Sequence, residues 1–168
     1  MGIPMKLHLR QASRDLSRLP YIIFIGRGAM NYWRREAARW FEDALEDLRV
    51  AEDLEAGHPS ASCFHAQQAA EKAVKAALYL NGVEVRGHSI LMLVEKLEEV
   101  ASSKLDEIYD DARLLDRHYA PPRYPNLHPG ISLPSHRLYS RGDAERCIGS
   151  ARRIMNSMRR FLEGSENS

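Results

Sequence analysis

The sequence predicts an all-α protein, an up-and-down bundle of four to five helices with a long proline-rich loop before the last helix. Three observations carry this. From Cys63 to Asn81 the residues Ala66, Ala69, Ala70, Ala73, Val74, Ala77 and Leu78 recur at three- and four-residue spacing without Gly or Pro. That spacing puts the smallest apolar side chains on one helical face, where other helices can approach closely, so this stretch reads as the central helix. Four further segments carry apolar residues at the helical period. A composition 44% hydrophobic and 28% charged, rich in Ala, Arg, Glu and Leu, suits a globular helical chain and gives no signal of sheet. At 168 residues one domain with a real core is expected.

Residues 1–29 differ from the rest. Lys6, Arg10, Arg14 and Arg18 fall every fourth residue, followed by an apolar run from Leu19 to Ile25 that Gly26 and Gly28 close. The run is far too short to cross a bilayer and lacks a cleavage pattern, so no membrane association is expected. The segment is read as an N-terminal extension, peripheral or disordered, ahead of a bundle over 30–163, with a disordered tail over 164–168.

The first helix spans Asn31 to Glu55, its apolar positions being Trp33, Ala37, Trp40, Phe41, Ala44, Leu48 and Ala51, and Gly57 and Pro59 stop it. The central helix follows after a tight turn, hence antiparallel, and Gly82 closes it in the left-handed conformation. Val83 to His88 connect, His88 being a turn residue. Ser89 then caps a helix carrying Ile90, Leu93, Val94, Leu97 and Val100. Ser103 with Asp106 reads as a capping box for a helix bearing Leu105, Ile108, Tyr109, Ala112 and Leu115 and ending near Tyr119. Five prolines between Ala120 and Tyr139 exclude helix there and leave a long loop. Ser140 with Asp143 repeats the capping pattern before a last helix with Ala144, Cys147, Ile148, Ala151, Met155, Met158 and Leu162 on its buried stripe. The Trp33, Trp40 and Phe41 stripe and the Met155 and Met158 stripe exceed what a small bundle covers internally, so a homodimer is expected.

Charge is uneven. Residues 31–112 hold nine basic and 17 acidic side chains, residues 113–168 ten basic and five acidic. Such asymmetry either attracts a phosphate-bearing ligand or marks acidic and basic helices lying side by side. Cys63 and Cys147 each stand alone in a predicted helix without paired metal-ligand spacing, so neither a metal nor a disulfide framework is expected, no cofactor is implied, and a reducing cytoplasm fits.

Two places carry candidate ligand-binding residues. On the polar face of the central helix, Gln68, Lys72, Lys75 and Tyr79 line up, with Glu71 four residues before Lys75. The strip is either a solvated face with an ordinary ion pair or a row of donors lining a groove. In the loop, Arg123 and Tyr124 are flanked by Pro121, Pro122 and Pro125, which present both side chains at low conformational cost. Arg123 either grips a phosphate or carboxylate, with Tyr124 stacking on a base, or anchors the loop to an acidic helix residue such as Asp47 or Glu71.

The first helix with Trp33, Ala44, Asp47, Leu48 and Ala51, then AQQAAEKAVKAAL, then Gly87, His88 and Ser89, then LLDRHYAPPRYPN, together resemble the HEPN domain family over roughly Trp33 to Phe161. That resemblance implies a helical bundle, frequently dimeric, associated with nucleotide or RNA binding and with small nucleotidyltransferases as partners, often as toxin and antitoxin. Some branches are metal-independent ribonucleases with an Arg-x4-6-His motif. That spacing occurs here as Arg113 with His118, the candidate catalytic pair, and as Arg123 with His128. A histidine can act as general acid or base near neutrality while arginine neutralises phosphate charge. A Walker loop, GxGxxG, HExxH, paired cysteines and a nucleotidyltransferase signature are all absent, which leaves a binding module, a ribonuclease or a structural adaptor.

Overall fold

The computed structural model describes residues 28–164. Its helices are α1 (Gly28–Leu54), α2 (Pro59–Leu80), α3 (Ile90–Ala101), α4 (Tyr109–Asp116) and α5 (Arg141–Gly164), with short 3-10 turns at Asp106–Ile108, Pro125–Leu127 and Ser135–Leu138. No strand occurs among the described residues. The expected extension, apart from its last two residues, and the last four residues of the expected tail lie outside them. None of the helices is long and apolar enough to cross a membrane.

The central helix is α2, which touches each of the other four. Ala66, Ala69, Ala70, Ala73, Ala76 and Ala77 are fully buried along it, and small side chains there allow neighbouring axes to come close. Against α1 the pairing is antiparallel: Trp33 meets Tyr79, Asp47 meets His65, and Ser62 donates to the carbonyl of Ala51. Around this pair Phe41, Leu78, Ile90, Leu97, Ile108, Leu115, Ile148, Ile154 and Met158 fill the core, each fully buried aliphatic contributing about 1.5–3 kcal/mol.

Local chemistry sets most boundaries. Pro59 begins α2 because a first-turn residue needs no amide hydrogen, four residues earlier than Cys63. Gly82, at φ +72°, ends it: its N–H goes to the carbonyl of Tyr79 and that of Val83 to Leu78, the two bonds of a Schellman ending. Ser89 caps α3 as expected, accepting from the Met92 amide at 3.3 Å. At α5 the Asp143 carboxylate accepts from the Ser140 amide, and the Ser140 hydroxyl from the Asp143 amide.

The capping box expected at Ser103 and Asp106 does not form. Glu98, reaching from the last turn of α3, accepts the Leu105 amide at 2.7 Å and the Tyr109 hydroxyl at 2.8 Å instead. These bonds hold the Glu98 carboxyl below the usual carboxylate range, and they push the Tyr109 phenol up to about 12. The Ser103 hydroxyl turns back to the carbonyl of Ala101. The following helix is accordingly split into a 3-10 turn and α4, and it ends at Asp116, short of Tyr119.

The charge asymmetry is met inside the fold. Arg152 pairs with Glu52 at 2.7 Å, Arg141 with Glu55 at 2.9 Å and Arg153 with Asp111 at 2.6 Å, so basic α5 lies against acidic α1 and α4. Of the apolar stripes expected to drive dimerisation, Phe41, Met155 and Met158 are buried in the single chain and Trp40 packs on the core, while Trp33 stays partly exposed between Tyr32 and Tyr79.

Candidate functional site

The polar strip of α2 is not a solvated face. Glu71 is only 3% exposed and Lys75 6%, and the two pair at 2.8 Å. The Glu71 carboxylate also accepts from Gln67 at 3.1 Å, and it lies 3.2 Å from Nδ1 of His88 and 3.5 Å from Nε2 of Gln68. Trp40 screens the pair from α1, its ring 5.4 Å from the Lys75 ammonium and stacked on Tyr79 at 5.5 Å. A carboxylate in so dry a place persists because donors converge on it. Lys72 belongs to a second centre, pairing with Asp47 at 2.6 Å beside His65. Lys72 and Tyr79 do line an open groove of about 460 Å³ with Glu36, Arg39, Trp40, Glu42 and Asp43. Its three carboxylates make it a poor seat for a phosphate.

A surface of different chemistry begins at His88, half exposed at one end of the Glu71 network. Its ring stacks on Tyr119 with centroids 4.3 Å apart and planes within 13°. Next to Tyr119 stands Arg123, whose guanidinium carbon lies 4.4 Å from the Phe64 ring, 4.8 Å from Tyr119 and 5.0 Å from Tyr124. These are cation–π distances. Nε donates to the carbonyl of Tyr119 at 3.0 Å, so Arg123 holds to backbone and rings, not to Asp47 or Glu71 as the anchoring alternative required. Both Arg123 and Tyr124 are exposed. Ser60 donates to the carbonyl of Pro122 at 2.7 Å, and His128 Nε2 bonds that of Pro121 at 2.9 Å, so the proline-rich segment is tied to α2 and to itself. Gln68, Glu71 and Lys75 are thus gathered in one buried network, and Arg123 and Tyr124 in one exposed cluster. His88 and Tyr119 join the two.

The structure does not bring Arg113 and His118 together. Arg113 faces outward, paired with Asp110 at 2.8 Å and lying over Tyr109. The ring of His118 is turned inward, edge-on to Tyr139. Its Nδ1 is buried without a hydrogen-bond partner, and burial lowers its pKa from the ordinary histidine value. Cys63 and Cys147 meet it there, one ligand atom from each of the three residues lying within 4.8 Å of the others. This is the set among the described residues that could hold a metal. Sequence spacing missed it because the three come from α2, from the turn after α4 and from α5. His88, Phe64 and Tyr119 were also missed as site residues. The signal available for them was local, since Phe64 opens the alanine-rich stretch and His88 and Tyr119 fall within the family-like segments.

An α-helical bundle built on an alanine-faced central helix, with a cation–aromatic surface where its proline-rich loop crosses that helix, is the class these features define. The chain belongs to the HEPN domain family, whose profile matches residues 37–161. It is 33% identical over 134 residues to the candidate toxin MJ1304 of Methanocaldococcus jannaschii, covering 76% of this chain and 88% of that protein. Among solved structures it resembles TT1696 of Thermus thermophilus, with a TM-score of 0.68, 35% identity, and coverage of 77% of this chain and 97% of the other. It also resembles an archaeal HEPN homologue, ST0689, with a TM-score of 0.63, 34% identity, and coverage of 76% and 98%.

Proposed function

We propose that this HEPN protein is a single-stranded RNA-binding module of toxin–antitoxin type, with a small nucleotidyltransferase as its partner. The observation that carries the reading is the exposed Arg123 guanidinium, held among Phe64, Tyr119 and Tyr124 with Nε spent on the backbone. Its outer edge is pre-oriented for a bidentate phosphate contact, and the exposed Tyr124 and half-exposed His88 offer faces for bases. The likeness to MJ1304, named as a candidate toxin, supports the toxin–antitoxin part. A homodimer fits the same reading. With Phe41 and the Met stripe packed inside, the large apolar side chains left exposed among the described residues are Tyr32, Met92 and Tyr124, and in the loop Leu127, Ile131 and Leu133.

The test is fluorescence anisotropy with a labelled single-stranded RNA. Arg123→Ala is expected to weaken binding at least tenfold and to lower the salt slope by about 0.7, the value for one lost phosphate contact, with stability changed by less than about 1 kcal/mol. Unchanged affinity overturns the assignment. The alternative, a metal-independent ribonuclease using Arg113 and His118, is read in the same tube with EDTA present. Cleavage abolished by His118→Ala supports that pair. Cleavage abolished by His88→Ala would instead name the imidazole that shares a surface with Arg123.

A further inference from the structure

We propose that Cys63, His118 and Cys147 form a buried site for a single zinc ion, which ties α2, the turn after α4 and α5 together. Both cysteines are at most 1% exposed, and one ligand atom from each residue lies within 4.8 Å of the other two. Zinc held by two sulfurs at about 2.3 Å and a nitrogen at about 2.0 Å needs ligand atoms roughly 3.5–3.8 Å apart. Rotations of the side chains that shorten the gaps by about 1 Å would therefore complete the set, with water in the fourth position.

A further feature points to an ion. Nδ1 of His118 is buried with no hydrogen-bond partner, a condition that costs stability where nothing relieves it. Charge decides which ion. Both sulfurs lie out of reach of solvent, where a net charge is costly. A divalent ion binding both sulfurs displaces two thiol protons to solvent and leaves a neutral cluster of one ion, two thiolates and one imidazole. A monovalent soft ion would leave a net negative charge in the same dry place, which burial penalises.

The position also has a consequence for the surface above it. Cys63 immediately precedes Phe64 and His118 immediately precedes Tyr119, two of the three rings around Arg123. An ion joining Cys63 to His118 fixes the backbone carrying both rings.

The experiment uses the full chain, reduced and stripped of metal, titrated with cobalt(II) and then zinc(II). Because the chain has only two cysteines, both at this site, any thiolate signal reports on it. The expected result is a thiolate-to-cobalt charge-transfer band saturating at one equivalent and bleached by zinc, with about two protons released per ion near neutrality. Zinc at about 100 times its Kd should raise Tm by roughly 5–10 °C. Cys63→Ser and Cys147→Ser should each abolish the band, and His118→Ala should weaken it. The wild-type titration decides the matter even if a variant fails to fold. Absence of the band in reduced wild-type protein, or a Tm that zinc does not move, overturns the proposal.

Discussion

Replacing Glu71 by Gln should be among the most damaging single changes available to this protein. The variant keeps size and hydrogen-bonding shape but removes the charge that Lys75 faces at 2.8 Å in a position only 6% exposed. Breaking a buried ion pair on one side leaves the other charge uncompensated and costs about 3–5 kcal/mol. For a chain of this size that corresponds to a Tm lowered by roughly 6–20 °C. Lys75→Met should also destabilise, but less, since Glu71 keeps Gln67 and His88 as neighbours. The double variant should lose less than the sum of the two, because a methionine beside a neutral amide strands no charge. Chemical denaturation of the four proteins gives the coupling energy directly. A Glu71→Gln cost below about 1 kcal/mol, the range of surface pairs, would mean that water reaches Lys75 and would refute the buried-network description.

Three other outcomes are expected. Asp116 accepts from the Ser89 hydroxyl at 2.7 Å and from the amides of Ile90 and Leu91, so Asp116→Ala uncaps α3 from a distance and should cost about 2–3 kcal/mol by denaturant titration. His118 takes up its proton at lower pH in the folded chain than in the unfolded one. Its contribution to stability is complete above about 6.5 and lost as pH falls from there through the lowered folded value. In chelator, His118→Asn should therefore flatten the fall of Tm between about pH 7 and 5, and identical slopes would exclude this origin. Deleting residues 1–29 should leave Tm and oligomeric state, measured by calorimetry and light scattering, as they are, because the core of the described residues runs from Phe41 to Met158. A large fall would show that Leu19 to Ile25 packs on the bundle.

The sequence by itself determined the helices, their buried faces and most of their caps, since these follow from neighbours three and four residues apart. The alanine face of α2, the Gly82 ending, the Ser89 cap and the Ser140 with Asp143 box are all of this kind. Where capping came from another element the local pattern misled: at 103–106 the winning acceptor was Glu98 on the preceding helix, with a partner in Tyr109 that no spacing rule supplies. Only the tertiary structure decided what each polar residue does. Glu71 and Lys75 read as a surface pair until the Trp40 ring of α1 is laid over them. Arg123 finds Phe64 from α2 and Tyr119 and Tyr124 from its own loop, and His118 with two cysteines far apart in the chain becomes a candidate metal site. Periodicity records which way a side chain points from its own helix. What stands opposite it depends on how the helices are brought together, and burial and charge then fix its chemistry.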